Sequence, residues 1–126
     1  MPMHALIVED EESILLSLEF LLTEEGYSVV TAQDGAAALN AAAAQTPDLV
    51  LLDVMLPHID GFEVCRQMRA NPALRNTRIM MVTARGRETE VERGMALGAD
   101  AFLTKPFSTR ELMEKIRSLL ASRRED

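Results

Sequence analysis

Apolar and polar positions follow two periods that alternate along this chain. Short apolar runs indicate buried strands, and longer stretches with apolar residues three and four positions apart indicate amphipathic helices. The predicted strands span residues 4–8, 27–32, 48–53, 78–84 and 101–104. The predicted helices span residues 13–26, 34–45, 61–70, 88–98 and 110–120. Five strand–helix pairs in succession predict an α/β domain, with a doubly wound parallel sheet, right-handed crossovers and helices on both faces.

Several helix ends carry their own local signals. Gly26 can adopt the left-handed conformation that ends many helices, so it is predicted to end the first helix. Gly98 is predicted to end the fourth helix. Asp34 is suited to cap the second helix. Ser108 and Glu111 have the spacing of a capping box at the start of the last helix.

Polar residues stand where the predicted strands end. The aliphatic run 49–52 ends in Asp53, Glu9 and Asp10 follow the first strand, and Thr83 and Lys105 close the fourth and fifth. In open parallel sheets, ligands bind outside the carboxyl ends of the strands. We therefore expect three carboxylates, a hydroxyl and an ammonium to converge at one edge.

Each of these residues also has an ordinary interpretation. Glu9 and Asp10 could cap the first helix, and Asp53 could begin a turn toward Pro57. Thr83 is a common β-branched strand residue, and Lys105 could be a solvated loop lysine that pairs with any nearby acid. The functional interpretation is favoured because all the exceptions fall at the one edge where a site is expected.

The predicted cluster has the chemistry of a phosphoryl site. Three neighbouring carboxylates need a cation, and Mg²⁺ prefers oxygen ligands and keeps waters that a phosphorylated substrate can displace. Lys105 would neutralise phosphoryl oxygens, and the Thr83 hydroxyl would donate a hydrogen bond to one of them. Asp53, on the middle strand, is placed to attack phosphorus and form an aspartyl-phosphate.

Composition narrows the classes of protein. The chain has 126 residues, enough for one domain with a sizeable core. Its net charge of −7 argues against direct nucleic-acid binding.

The single Cys65 excludes an internal disulfide, and its buried thiol is expected to be structural. No apolar run is long enough to span a membrane and the N-terminus does not resemble a secretory signal, so a cytoplasmic location is expected.

Four motifs closely resemble one known family. The segments IVEDEE, LVLLDVMLPHIDGFEVCRQMR, IMMVTARGRE and GADAFLTKPFSTREL resemble the receiver domain of two-component response regulators, in the expected order. The resemblance covers about residues 3 to 121. It implies a flavodoxin-like fold with five helices and a sheet of strand order 2-1-3-4-5. Residues 1–121 would form the receiver domain, and residues 122–126 a C-terminal tail or the start of a linker.

The resemblance also assigns roles around the metal. Asp53 matches the phosphoacceptor and a Mg²⁺ ligand, and Asp10 matches a second direct ligand. Glu9 would act on the metal through water, and the backbone carbonyl of Met55 would complete the protein ligands.

The switch residues follow in the same way. Thr83 matches the switch hydroxyl, Lys105 the family's lysine, and Pro106 follows it in a bond that the family makes cis. Phe102 falls at the aromatic switch position, where a ring turns inward behind the hydroxyl after phosphorylation.

The implied function is a phosphorylation-controlled signalling switch. A sensor histidine kinase would supply the phosphoryl group, and residues 88–97, 101–104 and 108–120 would signal to a downstream protein or output domain. Such a domain is not an enzyme beyond taking up a phosphoryl group and slowly losing it. Two alternatives are an aspartyl-nucleophile phosphohydrolase or phosphotransferase, and a pseudo-receiver that binds partners without phosphorylation. The sequence is compatible with a stand-alone regulator and with the receiver of a longer chain.

Three departures from the family pattern give further hypotheses. Phe102 lacks the hydroxyl of the tyrosine often found there, so we expect its ring to favour the inward state, although a phenylalanine that is simply packed in the core is equally compatible.

One branch of the family dimerises through helix 4, strand 5 and helix 5, and three residues of this chain fit its pattern: Arg93, Asp100 and Glu111. That branch carries an arginine where this chain has Val91 and often a second aspartate where it has Ala101, which weakens the case for a homodimer and leaves it open. Bulky Met55 and Arg85 suggest slow hydrolysis of the phosphoryl group.

Overall fold

A computed structural model describes residues 3–84 and 87–121, in which strands and helices alternate. The strands are β1 (His4–Val8), β2 (Ser28–Ala32), β3 (Leu49–Asp53), β4 (Arg78–Thr83) and β5 (Ala101–Thr104). The α-helices are α1 (Glu12–Glu24), α2 (Gly35–Ala44), α3 (Gly61–Ala70), α4 (Glu88–Ala96) and α5 (Thr109–Ala121). A short 3₁₀ turn, Pro72–Leu74, lies between α3 and β4.

The five strands form one parallel sheet in the order β2-β1-β3-β4-β5. This confirms the predicted flavodoxin-like topology and its strand order. Asp53 at the end of β3 pairs with Val82, and Thr83 at the end of β4 pairs with Thr104. The register therefore brings the ends of the three strands to the same edge of the sheet.

Successive residues of each strand point to opposite faces, which divides the core into two layers. Leu49 and Leu51 pack with α1 and α5, whereas Val50 and Leu52 pack with α2 and α3. All four side chains are buried, which explains the uninterrupted aliphatic run of β3.

The local signals at helix ends act as the sequence predicts. Asp34 caps α2 by accepting a hydrogen bond from the Ala37 N–H at 2.8 Å. The capping box of α5 is complete: the Ser108 hydroxyl oxygen accepts from the Glu111 N–H at 3.0 Å, and the Glu111 carboxylate accepts from the Ser108 N–H at 3.2 Å. Gly26 has a φ of 96°, the left-handed conformation expected at the end of α1.

Helices α2 and α5 differ from the predicted bounds by one residue at each end, and α1 and α4 differ by up to two residues. Helix α1 begins at Glu12 and ends at Glu24, and its N-cap residue is Glu11, which makes no side-chain cap hydrogen bond. Helix α4 ends at Ala96, two residues before the predicted end, because the chain turns at Gly98 with a φ of 108°.

Within residues 3–84 and 87–121, none of the helices has the length and apolar character needed to cross a bilayer. The predicted tail or linker at residues 122–126 lies outside the described residues, as does Arg85.

Candidate functional site

The three predicted carboxylates meet at the carboxyl edge of the sheet. Glu9 and Asp10 follow β1, Asp53 ends β3, and one carboxylate oxygen from each lies within 4.8 Å of the others. Glu9 is 3% exposed and Asp53 5%, whereas Asp10 is exposed to solvent. The site is therefore a cluster of acids at the mouth of the core, with two of its members largely removed from water.

Lys105 joins this cluster from the end of β5. Its ammonium lies 3.1 Å from Oε1 of Glu9 and 3.2 Å from Oδ2 of Asp53. The bond that follows, Lys105–Pro106, is cis, as expected from the family resemblance. Lys105 thus pairs with acids, as its ordinary interpretation also allows, but both carboxylates are buried and Lys105 itself is only partly exposed.

Electrostatics at the cluster favour an added cation. Burial, and then hydrogen bonding with Asp53, raises the pKa of Glu9 to about 7, against the opposing effects of the Glu11 N–H and Lys105. Burial by itself lowers the pKa of Lys105, but hydrogen bonds and attraction from Glu9 and Asp53 outweigh this, and its pKa is raised. The cluster holds three acids and one ammonium, which contacts Glu9 and Asp53, so the carboxylates are only partly compensated.

The donor set fits Mg²⁺. It consists of carboxylate oxygens, the ligands that hard divalent cations prefer. Oxygens of the three carboxylates lie within 4.8 Å of one another, so these residues could hold one such ion between them.

Thr83 lies beside Asp53 at the same edge. Its neighbour Val82 pairs with Asp53, and the Val82 carbonyl accepts a hydrogen bond from the Val54 N–H at 3.0 Å. The Thr83 carbonyl accepts from the Lys105 N–H at 2.7 Å, and Thr83 is buried. The sheet thus places Thr83 at the end of β4, the strand between β3, which ends in Asp53, and β5, which leads to Lys105.

Hydrogen bonds hold the loop after β3 against Asp53, the candidate phosphoacceptor. Oδ1 of Asp53 accepts a hydrogen bond from the Met55 N–H at 3.0 Å, and the Gly61 N–H donates to the Val54 carbonyl at 2.9 Å. A Cβ on Gly61 would overlap the Asp53 carbonyl oxygen. The same loop holds the Met55 backbone close to Asp53 and leaves Met55 70% exposed.

Gly61 is a site-forming residue that the sequence interpretation missed. Its signal was available: Gly61 is the first residue of α3, after the N-cap Asp60. Glycine is a poor helix former, so at this position it indicates a close approach to neighbouring backbone.

His58 adopts an unusual backbone conformation at the tip of this loop. Its φ is 67°, and the Ile59 N–H donates to the Pro57 carbonyl at 2.8 Å, as in a γ-turn of the rarer positive-φ type. A side chain in this region costs about 1–2 kcal/mol. Glycine also gives the unfolded chain more conformational freedom, which offsets part of this gain. His58→Gly is therefore expected to raise the free energy of unfolding by about 0.5–1 kcal/mol.

Urea denaturation of His58→Gly and His58→Ala would check this prediction. Alanine retains the Cβ that disfavours positive φ, so His58→Ala should gain no stability. Equal stabilisation by both substitutions would show that the histidine side chain, and not the backbone conformation, carries the cost.

Phe102 lies against α4. Its ring occupies the space in front of Gly94, where a Cβ would overlap two ring carbons, and it packs on the apolar layer that contains Met81. The ring is partly buried, so it is neither a fully enclosed core side chain nor a freely exposed one.

Three charged residues noted for a dimer surface have partners within the chain. Asp100 forms an ion pair with Arg69 at 2.6 Å, and the Arg93 guanidinium lies 4.3 Å from the centre of the Phe62 ring. Glu111 is engaged in the capping box of α5. The sequence interpretation missed the partner of Asp100, and the homodimer stays a prediction.

Comparison with known proteins gives a consistent result. The family described as "Response regulator receiver domain" matches residues 5–117. The alkaline phosphatase synthesis transcriptional regulatory protein PhoP of Bacillus subtilis (strain 168) is 46% identical over 115 residues, which are 91% of this chain and 47% of that protein. The chain spans about half the length of the curated relatives it matches.

Solved structures agree in fold. The chemotaxis response regulator CheY4 of Vibrio cholerae has a TM-score of 0.90 at 31% identity, over 94% of this chain and 99% of that one. The receiver domain of the sensor histidine kinase PA1611 of Pseudomonas aeruginosa PAO1 has a TM-score of 0.88 at 30% identity, over 97% of this chain and 100% of that one. The latter structure is described with a magnesium ion coordinated in its active site cleft.

Proposed function

This chain belongs to the response regulator receiver domain family, and we propose that Asp53 is the residue through which phosphorylation controls it. The observation that carries the proposal is a buried Asp53 carboxylate that is bonded to Lys105 and shares its cluster with Glu9 and Asp10. A carboxylate beside an ammonium and two further acids is suited to act as a nucleophile toward phosphorus, because the ammonium and a bound cation can neutralise the phosphoryl oxygens.

The proposed transfer uses the residues of the cluster in defined roles. A carboxylate oxygen of Asp53 forms a bond to phosphorus while the bond from phosphorus to the donor breaks, and the donor keeps the electron pair. Lys105 then donates to a phosphoryl oxygen, and the Thr83 hydroxyl donates to another. Bound Mg²⁺ supplies charge neutralisation at the phosphoryl oxygens.

For the metal, we assign Asp10 and Asp53 as direct ligands and Glu9 as a ligand through water. The backbone carbonyl of Met55 is the remaining protein ligand. The acidic cluster and the magnesium ion described for the PA1611 receiver domain support this assignment.

For the output, we propose that Thr83 and Phe102 relay the phosphorylated state to the face formed by α4, β5 and α5. The donor would be a sensor histidine kinase in the cytoplasm. Because the relatives are transcriptional regulators about twice as long, the target would be an output domain or a separate protein. With a net charge of −7, the receiver itself would not contact nucleic acid.

The enzyme alternative is less well supported. Aspartyl-nucleophile hydrolases place a second acid two residues after the nucleophile, where it protonates the leaving group. This chain has Met55 at that position. The pseudo-receiver alternative is opposed by the complete set of acids, hydroxyl and lysine at one edge.

The proposal is tested by incubating the protein with Mg²⁺ and acetyl phosphate and measuring its intact mass. We expect one phosphoryl group to be gained with Mg²⁺ and none with a chelator. After the donor is removed, we expect the group to persist for minutes or longer, in line with the bulky residue at position 55. Loss within seconds would contradict slow hydrolysis, and repeated turnover of the donor through a short-lived phosphorylated intermediate would favour the hydrolase.

Replacing Lys105 separates metal binding from phosphorylation. Lys105→Met removes the ammonium that competes with a cation for Glu9 and Asp53, so the affinity for Mg²⁺ should rise about tenfold. The rate of phosphorylation should nevertheless fall, because the phosphoryl oxygens lose a donor.

Titration calorimetry with Mg²⁺ and intact mass would measure the two effects. Lys115→Met is the matched control, since Lys115 is the other lysine of the sequence and is exposed on α5. Unchanged Mg²⁺ affinity in Lys105→Met would place the bound metal away from this cluster.

A further inference from the structure

Arg69, on α3, ties together four segments that are distant from the phosphoryl site. Its guanidinium donates to the carbonyls of Gly98 at 2.8 Å, Leu74 at 2.8 Å and Thr77 at 2.7 Å. It also donates to Oδ2 of Asp100 at 2.6 Å. One side chain thus joins α3, the 3₁₀ turn, the start of β4 and the turn between α4 and β5.

The pair between Arg69 and Asp100 is well shielded from water. Each side chain is 11% exposed, and Asp100 accepts a second hydrogen bond from the Ile79 N–H at 2.8 Å. The Asp100 N–H in turn donates to the Ile79 carbonyl at 2.8 Å. A shielded charge pair with this many hydrogen bonds holds its two segments in one geometry.

The turn after α4 is shaped around the Arg69 side chain. Gly98 has a φ of 108°, and a Cβ there would overlap Cγ of Arg69. The amides of Leu97, Gly98 and Ala99 all donate to carbonyls of α4. The C-terminal end of α4 is therefore closed on itself and fastened to α3.

Within residues 3–84 and 87–121, the structure shows fewer restraints at the N-terminal end of α4 than at its C-terminal end. Among the described residues, Oε1 of Glu90 is buried without a hydrogen-bond partner, and the N-cap residue Arg87 makes no side-chain cap. Gly94, in the second half of the helix, is its one fully buried position. A buried oxygen without a hydrogen-bond partner disfavours the conformation that contains it. A movement that exposes the Glu90 carboxylate to water would remove this penalty.

We propose that Arg69 is a positioning residue that fixes the C-terminal end of α4 and confines changes of that helix to its N-terminal half. The anchor itself does not depend on the proposed function. Its consequence for signalling rests on the proposed function, because α4 belongs to the proposed output face. The N-terminal half is also the part of α4 nearest in sequence to Thr83. A signal from the site would then tilt the helix about the turn that Arg69 holds.

Amide hydrogen exchange followed by NMR tests the anchor in the full chain. We expect the amides of residues 98–100 to exchange more slowly than those of residues 88–91. Arg69→Met should accelerate exchange at 98–100 at least tenfold more than it accelerates exchange at the β3 amides Leu51 and Leu52. A general loss of stability would instead accelerate all of these amides together, and that result would overturn the proposal.

Arg66→Met is the matched control, because Arg66 lies on the same helix and pairs with Glu63 at the surface. It should leave residues 98–100 unchanged. If Arg69→Met does not fold, Asp100→Asn replaces it, since asparagine retains an acceptor for the Ile79 N–H but lacks the charge. Equal exchange of 98–100 in wild type and Asp100→Asn would also overturn the proposal.

A phosphorylation arm distinguishes this inference from the function on which its consequence rests. With acetyl phosphate and Mg²⁺, exchange should change at residues 88–93 and stay constant at 98–100. Equal changes at both ends would overturn the confined movement. If intact mass shows no phosphoryl uptake, the proposed function fails, and the comparison of Arg69→Met with Arg66→Met still decides the anchor.

Discussion

Asp53→Asn is expected to abolish phosphoryl uptake and to leave the fold intact. An amide oxygen is too weak a nucleophile to attack phosphorus, so the intact mass should stay constant with acetyl phosphate and Mg²⁺. The asparagine keeps an acceptor for the Met55 N–H, which now bonds to Asp53 at 3.0 Å. The loop after β3 should therefore retain its closure, and circular dichroism should show native secondary structure.

Asp60→Asn is the control for this substitution. Asp60 lies in the same loop and caps α3 by accepting from the Glu63 N–H at 2.9 Å, a role that asparagine fills equally well. This variant should take up one phosphoryl group as the wild type does. A phosphorylated Asp53→Asn protein would mean that the acceptor is another residue and that the assignment of Asp53 is wrong.

Uptake at Asp53 would also rearrange the partners of Lys105. In the unphosphorylated cluster, its ammonium is shared between Glu9 and Asp53. A phosphoryl group would attract the ammonium and the Thr83 hydroxyl through charge-assisted hydrogen bonds. A shift from about 1:99 to 99:1 requires roughly 5.5 kcal/mol of differential interaction, which a few such bonds can supply.

The location of the site could be predicted from sequence because a parallel sheet gathers its strand ends. Glu9, Asp53 and Lys105 are far apart in the chain, yet each follows an apolar run that reads as a strand. Once the runs are aligned in parallel, their final residues must share an edge. The bonds from Lys105 to both acids follow from that geometry and confirm that these three residues meet.

Helix boundaries were predictable where both ends carry local signals. Helix α3 has its predicted bounds because Asp60 caps its start and Asn71, before Pro72, ends it. Helix α4 proved shorter than predicted because its closing turn begins before Gly98. The length of that turn depends on how Gly98 packs against Arg69, which lies on another helix.

The remaining features depend on packing between distant segments and have no local signature. Arg69 and Asp100 are 31 positions apart, and the sequence around either residue does not indicate that the two will pair. The ring of Phe102, on β5, lies against Gly94, on α4. Composition and periodicity describe which faces are buried, but they do not specify which side chains meet across the interface.

Gly61→Ala is expected to damage both stability and phosphorylation. The new methyl group would overlap the carbonyl oxygen of Asp53 and would also come within 2.8 Å of the Val54 Cα, so the backbone itself must shift. Such overpacking should lower the free energy of unfolding by roughly 1–3 kcal/mol. Because the shift falls on the peptide that carries the nucleophile, the rate of phosphorylation should fall about 100-fold.

Gly26→Ala separates these two effects. Gly26 has a φ of 96° but open space around it and lies at the far end of α1, so alanine should cost about 1 kcal/mol of stability from backbone strain alone. Its rate of phosphorylation, measured by intact mass under conditions in which both variants are folded, should match the wild type. If Gly61→Ala were phosphorylated as fast as Gly26→Ala, the contact between α3 and the Asp53 peptide would contribute to stability only. A slower rate in Gly61→Ala alone would show that this contact sets the position of the nucleophile, since loss of stability is common to both variants.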